Sequence, residues 1–231
     1  MKFFVPPTLE QDFDDFLATD VPNQVQGYEL LKDWYAQLGE SYTPTIVRCE
    51  VYPDSTKSRY ENTDNYVNVR ASLSSGIEKG DMLRDTEGNI YVLDWDILKE
   101  TNNRPTRGLR CNMFLTVERV VPDQTDQWGY LIQESGLSTI VNALPCNSYR
   151  YDGRPEYATH SATPGITVNA LTITTAQYNS QTANLKVGDE FIWGNEWFTI
   201  IDIDWSGVDK AASHGTLRVV SRKKAGGQID S

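Results

Sequence analysis

The residues of this chain best suited to chemistry are two pairs of aspartates, Asp94 with Asp96 and Asp202 with Asp204. Spaced two apart on a strand, each pair projects from one face, where two carboxylates can share Mg²⁺, Mn²⁺ or Ca²⁺. Leu93, Trp95 and Ile97, and likewise Ile201, Ile203 and Trp205, then fall on the opposite face, the pattern of a strand with one buried and one wet side. A cation site needs more oxygen ligands than two side chains supply, so we expect neither a metal nor any other cofactor. His160 and His214 lie in different polar stretches with no H-E-x-x-H or G-x-S-x-G motif around them, and we expect no enzymatic activity. Cys49, Cys111 and Cys146 are odd in number and widely spaced, which indicates neither a disulfide framework nor a zinc site.

The aspartates belong to a passage that occurs twice. Ile77-Glu78-Lys79-Gly80-Asp81-Met82-Leu83 returns as Leu185-Lys186-Val187-Gly188-Asp189-Glu190-Phe191, and Leu93-Asp94-Trp95-Asp96 returns as Ile201-Asp202-Ile203-Asp204, both at an offset of 108. At the same offset Leu109-Arg110 is matched by Leu217-Arg218. A looser correspondence at an offset of 94 sets Trp34, Leu38, Glu40, Ser41, Thr45, Ile46 and Val47 against Trp128, Ile132, Glu134, Ser135, Thr139, Ile140 and Val141. A duplicated unit that repeats carboxylates and turn glycines, without nucleophile or base, points to a scaffold.

Around these motifs the chain reads as mainly β. Thr45 to Tyr52 and Tyr66 to Leu73 have strand character. Met82-Leu83 and Ile90 to Leu93 flank the turn Asp85 to Asn89, while Glu190 to Trp193 and Glu196 to Ile203 flank Gly194-Asn195. Gly80 and Gly188 suit a special backbone angle, with Asp81 and Asp189 capping the turn. Closing strands are expected at Leu109 to Arg119 and at Thr216 to Ser221, after polar excursions of similar length, Lys99 to Gly108 and Ser206 to Gly215. Hairpins without long helical crossovers imply antiparallel pairing.

The first forty residues read instead as helical. Leu9, Phe13, Phe16 and Leu17 form one apolar face after Pro6-Pro7, and Tyr28, Leu31, Tyr35 and Leu38 form another over 25–38, ended by Gly39. We therefore expect two tandem small antiparallel β-barrels or sandwiches with a short α-helical N-terminal segment. The expected divisions are a helical arm over 1–40, a first barrel over 41–121, a linker into the second repeat over 122–144, a second barrel over 145–222 and a flexible tail over 223–231.

Candidate partner-binding residues follow from this layout: Phe13, Phe16 and Leu17 in the arm, Lys99, Arg104, Arg107 and Arg110 in and beside the first excursion, and Asp209, Lys210 and His214 in the second. Trp193 and Trp197, flanking a hairpin tip, offer the alternative of a glycan-binding or host-attachment module through sugar stacking. The net charge of −11 argues against a general nucleic-acid surface, though an acidic wall suits a conduit through which DNA slides. No stretch approaches the roughly 20 apolar residues of a membrane span.

The pattern Ile77, Gly80, Asp81, Leu83, Gly88, Tyr91 and Leu93 resembles the small β-barrel connector proteins of tailed bacteriophages, the head-closure (stopper) and tail-completion proteins. Those proteins are usually single barrels, so here the resemblance implies a tandem duplication. It also implies a non-enzymatic structural protein of the virion, assembled in the host cytoplasm, forming part of a ring at the head–tail connector or neck. The implied partners are further copies of the chain, in a ring of six or twelve, and portal, connector or tail proteins, with DNA passing nearby at most and no membrane. Six two-barrel chains would present twelve barrels between a twelvefold portal and a sixfold tail.

Overall fold

The computed structural model describes residues 25–39, 41–53, 66–72, 75–94, 106–133, 135–150, 171–211 and 213–228. The chain forms two units, Met1–Cys111 and Asn112–Ser231, each built around a closed antiparallel barrel. The first barrel comprises β1 (Val25–Leu31), β2 (Thr45–Pro53), β3 (Tyr66–Ala71), β4 (Met82–Arg84), β5 (Ile90–Leu93) and β6 (Thr106–Arg110), in the closed order β1-β2-β3-β6-β5-β4. The second comprises β7 (Met113–Val121), β10 (Gly136–Arg150), β11 (Leu171–Gln177), β12 (Glu190–Trp193), β13 (Glu196–Asp204) and β15 (His214–Gln228). Its order, β7-β10-β11-β15-β13-β12, repeats the first strand for strand, and pairing of β11 with β15 keeps the ring closed. Two short additions interrupt it: the hairpin of β8 (Gln124–Thr125) and β9 (Leu131–Gln133), and β14 (Val208–Asp209) against β15.

Strand β3 shows why these segments pair as they do. Val67, Val69 and Ala71 are buried while Tyr66, Asn68 and Arg70 alternate outward, so one face joins Tyr28, Leu30, Val47, Cys49, Leu83 and Leu93 in the core of the first barrel. Burying each large aliphatic side chain contributes roughly 1.5–3 kcal/mol. In the second barrel Leu115, Val117, Val141, Leu144, Phe191, Phe198, Ile200, Leu217 and Val219 are among the buried residues. Phe191 and Phe198 stack across the β12–β13 hairpin with centroids 5.8 Å apart.

Several expectations change. Residues 25–31 form strand β1, not the start of a helix over 25–38. Tyr28, Leu30 and Leu31 fit either period, but the gap between β2 and β4 is filled only by an extended segment with Tyr28 and Leu30 inward. Leu38, the end of the supposed helical stripe, is 73% exposed at the end of a single 3₁₀ turn, Ala36–Leu38. The helix proposed around Phe13, Phe16 and Leu17 lies outside the described residues.

The strand expected to close the first barrel, Leu109 to Arg119, splits between the two. The Cys111 amide donates to the Ile90 carbonyl in unit 1, and the next amide, Asn112, donates to the Cys146 carbonyl in unit 2. Met113–Val121 therefore opens the second barrel, the division moves from 121 to 111, and residues 122–144 are the β8–β9 hairpin and the start of β10 rather than a linker. The tail expected over 223–231 is strand as far as Gln228, where β15 is still paired with β13, and its last three residues lie outside the described residues.

Both Gly-Asp turns behave as expected. Gly80 has φ of 92° and Gly188 of 98°, in the region that glycine tolerates, and Gly194-Asn195 takes positive φ at both positions, as a tight hairpin turn requires.

Candidate functional site

The aspartates of the Gly-Asp turns serve the fold. Asp81 accepts from the Glu78 amide at 2.7 Å and Asp189 from the Lys186 amide at 2.8 Å, and both carboxylates are buried. Each also meets a cation from the end of its barrel's first strand. Lys32 reaches Asp81 at 2.8 Å, while Arg119 grips both oxygens of Asp189, at 2.6 and 2.8 Å. Burial pulls the Lys32 ammonium down, but the Asp81 carboxylate outweighs it and leaves it above its ordinary value. The hydrogen bond from Asp189 likewise raises Arg119. Lys32 and Arg119 are residues that sequence reasoning missed; they stand at one ladder position, since Leu30 faces Leu83 where Val117 faces Phe191.

The ladders also test the sequence repeat. Leu83 lies opposite Tyr91 and Phe191 opposite Phe198, so the second hairpin is one residue shorter, and a bulge between Ile200 and Asp202 restores the offset before the aspartates. The two excursions are not of equal length, because the path from Leu93 to Gly108 is fifteen residues and that from Ile200 to Ser221 is twenty-one. Leu109-Arg110 consequently matches Arg222-Lys223 rather than Leu217-Arg218. The offset of 94 fails as well: Tyr28 pairs with Val47 where Leu115 pairs with Leu144, so Leu144, not Val141, occupies the place of Val47.

Among the metal candidates, Asp202 accepts from the Ile203 amide and Asp204 from the Ser206 amide, each at 2.9 Å, which uses one oxygen of each to hold the strand end. Asp94 is half-buried with its amide on the Arg107 carbonyl; Asp96 lies outside the described residues. Of the basic candidates in and beside the first excursion, two fall among the described residues, and each is separately engaged. Arg107 stacks over the Tyr66 ring at 3.6 Å, and Arg110 donates to the Asn89 side chain at 2.7 Å. Lys99 and Arg104 lie outside the described residues, as does His160. Asp209, Lys210 and His214 do come together on the β14–β15 hairpin, where Asp209 pairs with His214 and Lys210 sits 5.9 Å from the Trp205 ring.

Trp193 and Trp197 do not make a platform. Trp193 pairs with Glu196 and Trp197 with Ile192, so the two rings leave opposite faces of the hairpin, and Trp193 packs its edge on Phe198 at 5.8 Å.

The surface that stands out is the β8–β9 arm, in residues assigned from sequence to a linker. At its base Val120 and Leu137 face each other across β7 and β10, each 60% exposed. Beyond them Asp123 accepts from the Ser135 amide, and Asp126 closes the tip by accepting from the Trp128 and Tyr130 amides at 2.9 and 2.8 Å. Gly129, with φ of 84°, completes the turn. The result presents Trp128 (74% exposed), Tyr130 (73%), Leu131 (52%) and Ile132 (68%) to solvent. Two strands alone are marginal in water, and exposed apolar clusters of this kind mark interaction sites. The first barrel makes the equivalent connection, from β1 to β2, through residues 32–44, with no such strands among the described residues. Comparison with protein-family models, curated proteins and solved structures found no match.

Proposed function

We propose that this chain is a non-enzymatic structural protein of a phage virion, forming part of a ring at the head–tail connector or neck through its barrels and the β8–β9 arm. The observation that carries the reading is the arm itself. The barrel closes without it, as the first barrel demonstrates, yet it displays an indole, a phenol and two aliphatic side chains that a solitary chain leaves in water. The tandem barrels with their shared Gly-Asp hairpin support the same reading, and the carboxylates at those turns are committed to backbone amides and to Lys32 and Arg119. A sugar-binding reading loses its platform, since Trp193 and Trp197 point apart. Electron microscopy of the purified protein, alone and with a candidate portal or tail ring, tests the proposal. Rings, or decoration of the partner ring, are expected; dispersed single chains with neither would overturn it.

A further inference from the structure

Taking the assembly reading as its basis, we infer that the β8–β9 arm of one copy seats on the outer face of β1 and β2 in the first barrel of a second copy. The arm is apolar and acidic: it carries Trp128, Tyr130, Leu131 and Ile132, and from Val120 to Tyr149 the sequence holds Asp123, Asp126 and Glu134 but no lysine or arginine. A fitting acceptor must be apolar, basic and shallow enough for an aromatic ring.

The outer face of β1–β2 has these properties. Ile46 is 63% exposed, and Arg48, two residues along and therefore on the same face, is also exposed. Arg48 has no ion-pair partner among the described residues. Opposite Arg48 stands Gly27, and the Ile46 side chain lies over it, since a Cβ built there would come 3.1 Å from the Ile46 Cγ2; the face is therefore low and apolar beside Arg48. Glu29, the acid opposite Ile46, is already neutralised by Arg84 at 2.5 Å and held by the Tyr42 hydroxyl at 2.8 Å, so Arg48 sets the local sign. Leu38 adds apolar surface on the connection that leads into β2. Opposite charge around an aromatic anchor is the arrangement that fixes both partner and register at an interface.

Donor and acceptor are different surfaces, so the contact is heterologous. Repeated head to tail, such contacts generate a ring if the rotation closes and a filament if it does not.

Two variants separate the possibilities: an arm variant, Trp128→Ser with Ile132→Ser, and an acceptor variant, Ile46→Ser with Arg48→Glu. All four positions are exposed, and circular dichroism checks that both variants fold as the parent does. Mass photometry should show each variant alone weakened in self-association by about thirtyfold or more, the loss expected when an interface anchor is removed. Mixed one to one, they should form dimers, because the acceptor variant supplies an intact arm and the arm variant an intact acceptor. An arm variant that assembles like the parent, or a mixture that stays monomeric, overturns the inference and leaves the assembly reading standing. A parent chain that stays monomeric overturns the inference, and one that also leaves a candidate portal or tail ring undecorated overturns the assembly reading as well.

Discussion

The two barrels share a strand order but not an interior, and the ladder registers allow the comparison residue by residue. Cys49 faces Ala71 in the first barrel and Cys146 faces Ala176 in the second, and all four side chains are buried. One step further along the same face, Val51 opposite Val69 becomes Ser148 opposite Thr174, and Val67 opposite Gly108 becomes Thr172 opposite Ser221. A wholly aliphatic layer has turned into a hydroxyl layer without any change of topology. Ser221 donates to the Thr172 carbonyl at 2.8 Å and Ser148 bonds to the Asn112 side chain at 3.2 Å, whereas the buried hydroxyls of Thr172 and Thr174 have no hydrogen-bond partner among the described residues. Strand order and the Gly-Asp turns, rather than a particular set of core residues, are what the two halves hold in common.

Exchanging the layers is the largest way to break that comparison. Val67→Thr together with Val69→Thr places two hydroxyls in an aliphatic layer that offers no hydroxyl neighbours, and should destabilise the first barrel by about 2–4 kcal/mol. The reverse change, Thr172→Val with Thr174→Val, removes orphaned groups and should stabilise the second barrel by about 1–2 kcal/mol. Hydrogen exchange resolved to individual strands would assign each effect to its own barrel; effects of equal sign in both would contradict the comparison.

A smaller contrast lies in the two cation–aspartate contacts. Arg119 is bidentate and 29% exposed, whereas Lys32 makes a single contact to Asp81 and is 47% exposed. Losing the cation takes the countercharge from a buried carboxylate, so Arg119→Met should cost about 2–3 kcal/mol and Lys32→Met about 1, both below the full penalty for a wholly buried pair because solvent screens the cation. Urea unfolding of each variant measures this, and a Lys32 variant weaker than the Arg119 variant would reverse the ranking.

The smallest expected effect concerns alkali. Burial pushes the Cys49 thiol from 9.0 up to about 12, and the Tyr28 hydroxyl from 10.0 up to about 12. Both groups give up protons more readily when unfolded, so their stabilisation is complete below about pH 9 and disappears as the pH climbs toward 12. Melting followed between pH 8 and 11 should show the first barrel weakening, and Cys49→Ala should flatten part of that slope.

Local pattern carried the reading of the sequence a long way. The alternation in Tyr66–Ala71, the positive-φ turn at Gly194-Asn195 and the capping by Asp81 and Asp189 are set by neighbours in the chain, and all were legible. What was not legible depends on distant partners. Nothing in Met113–Val121 says which barrel it will join, and Tyr28, Leu31 and Leu38 satisfy helical spacing until β2 and β4 claim the segment. The duplication was visible only at the Gly-Asp hairpin, because Leu30 and Val117 are 87 residues apart while Cys49 and Cys146 are 97 apart and Ala71 and Ala176 are 105 apart. Lys32 and Arg119 preserve charge but not identity, which hid them from a search for repeats. The arm escaped notice because its strands are two and three residues long, too short to show a period.

The central claim, that this chain is a unit of assembly, is tested most directly by the mass of the purified particle over a range of concentrations. We expect discrete species that converge on six or twelve copies; a single species of 26.1 kDa at every concentration, both alone and in the presence of a candidate portal or tail ring, would contradict it.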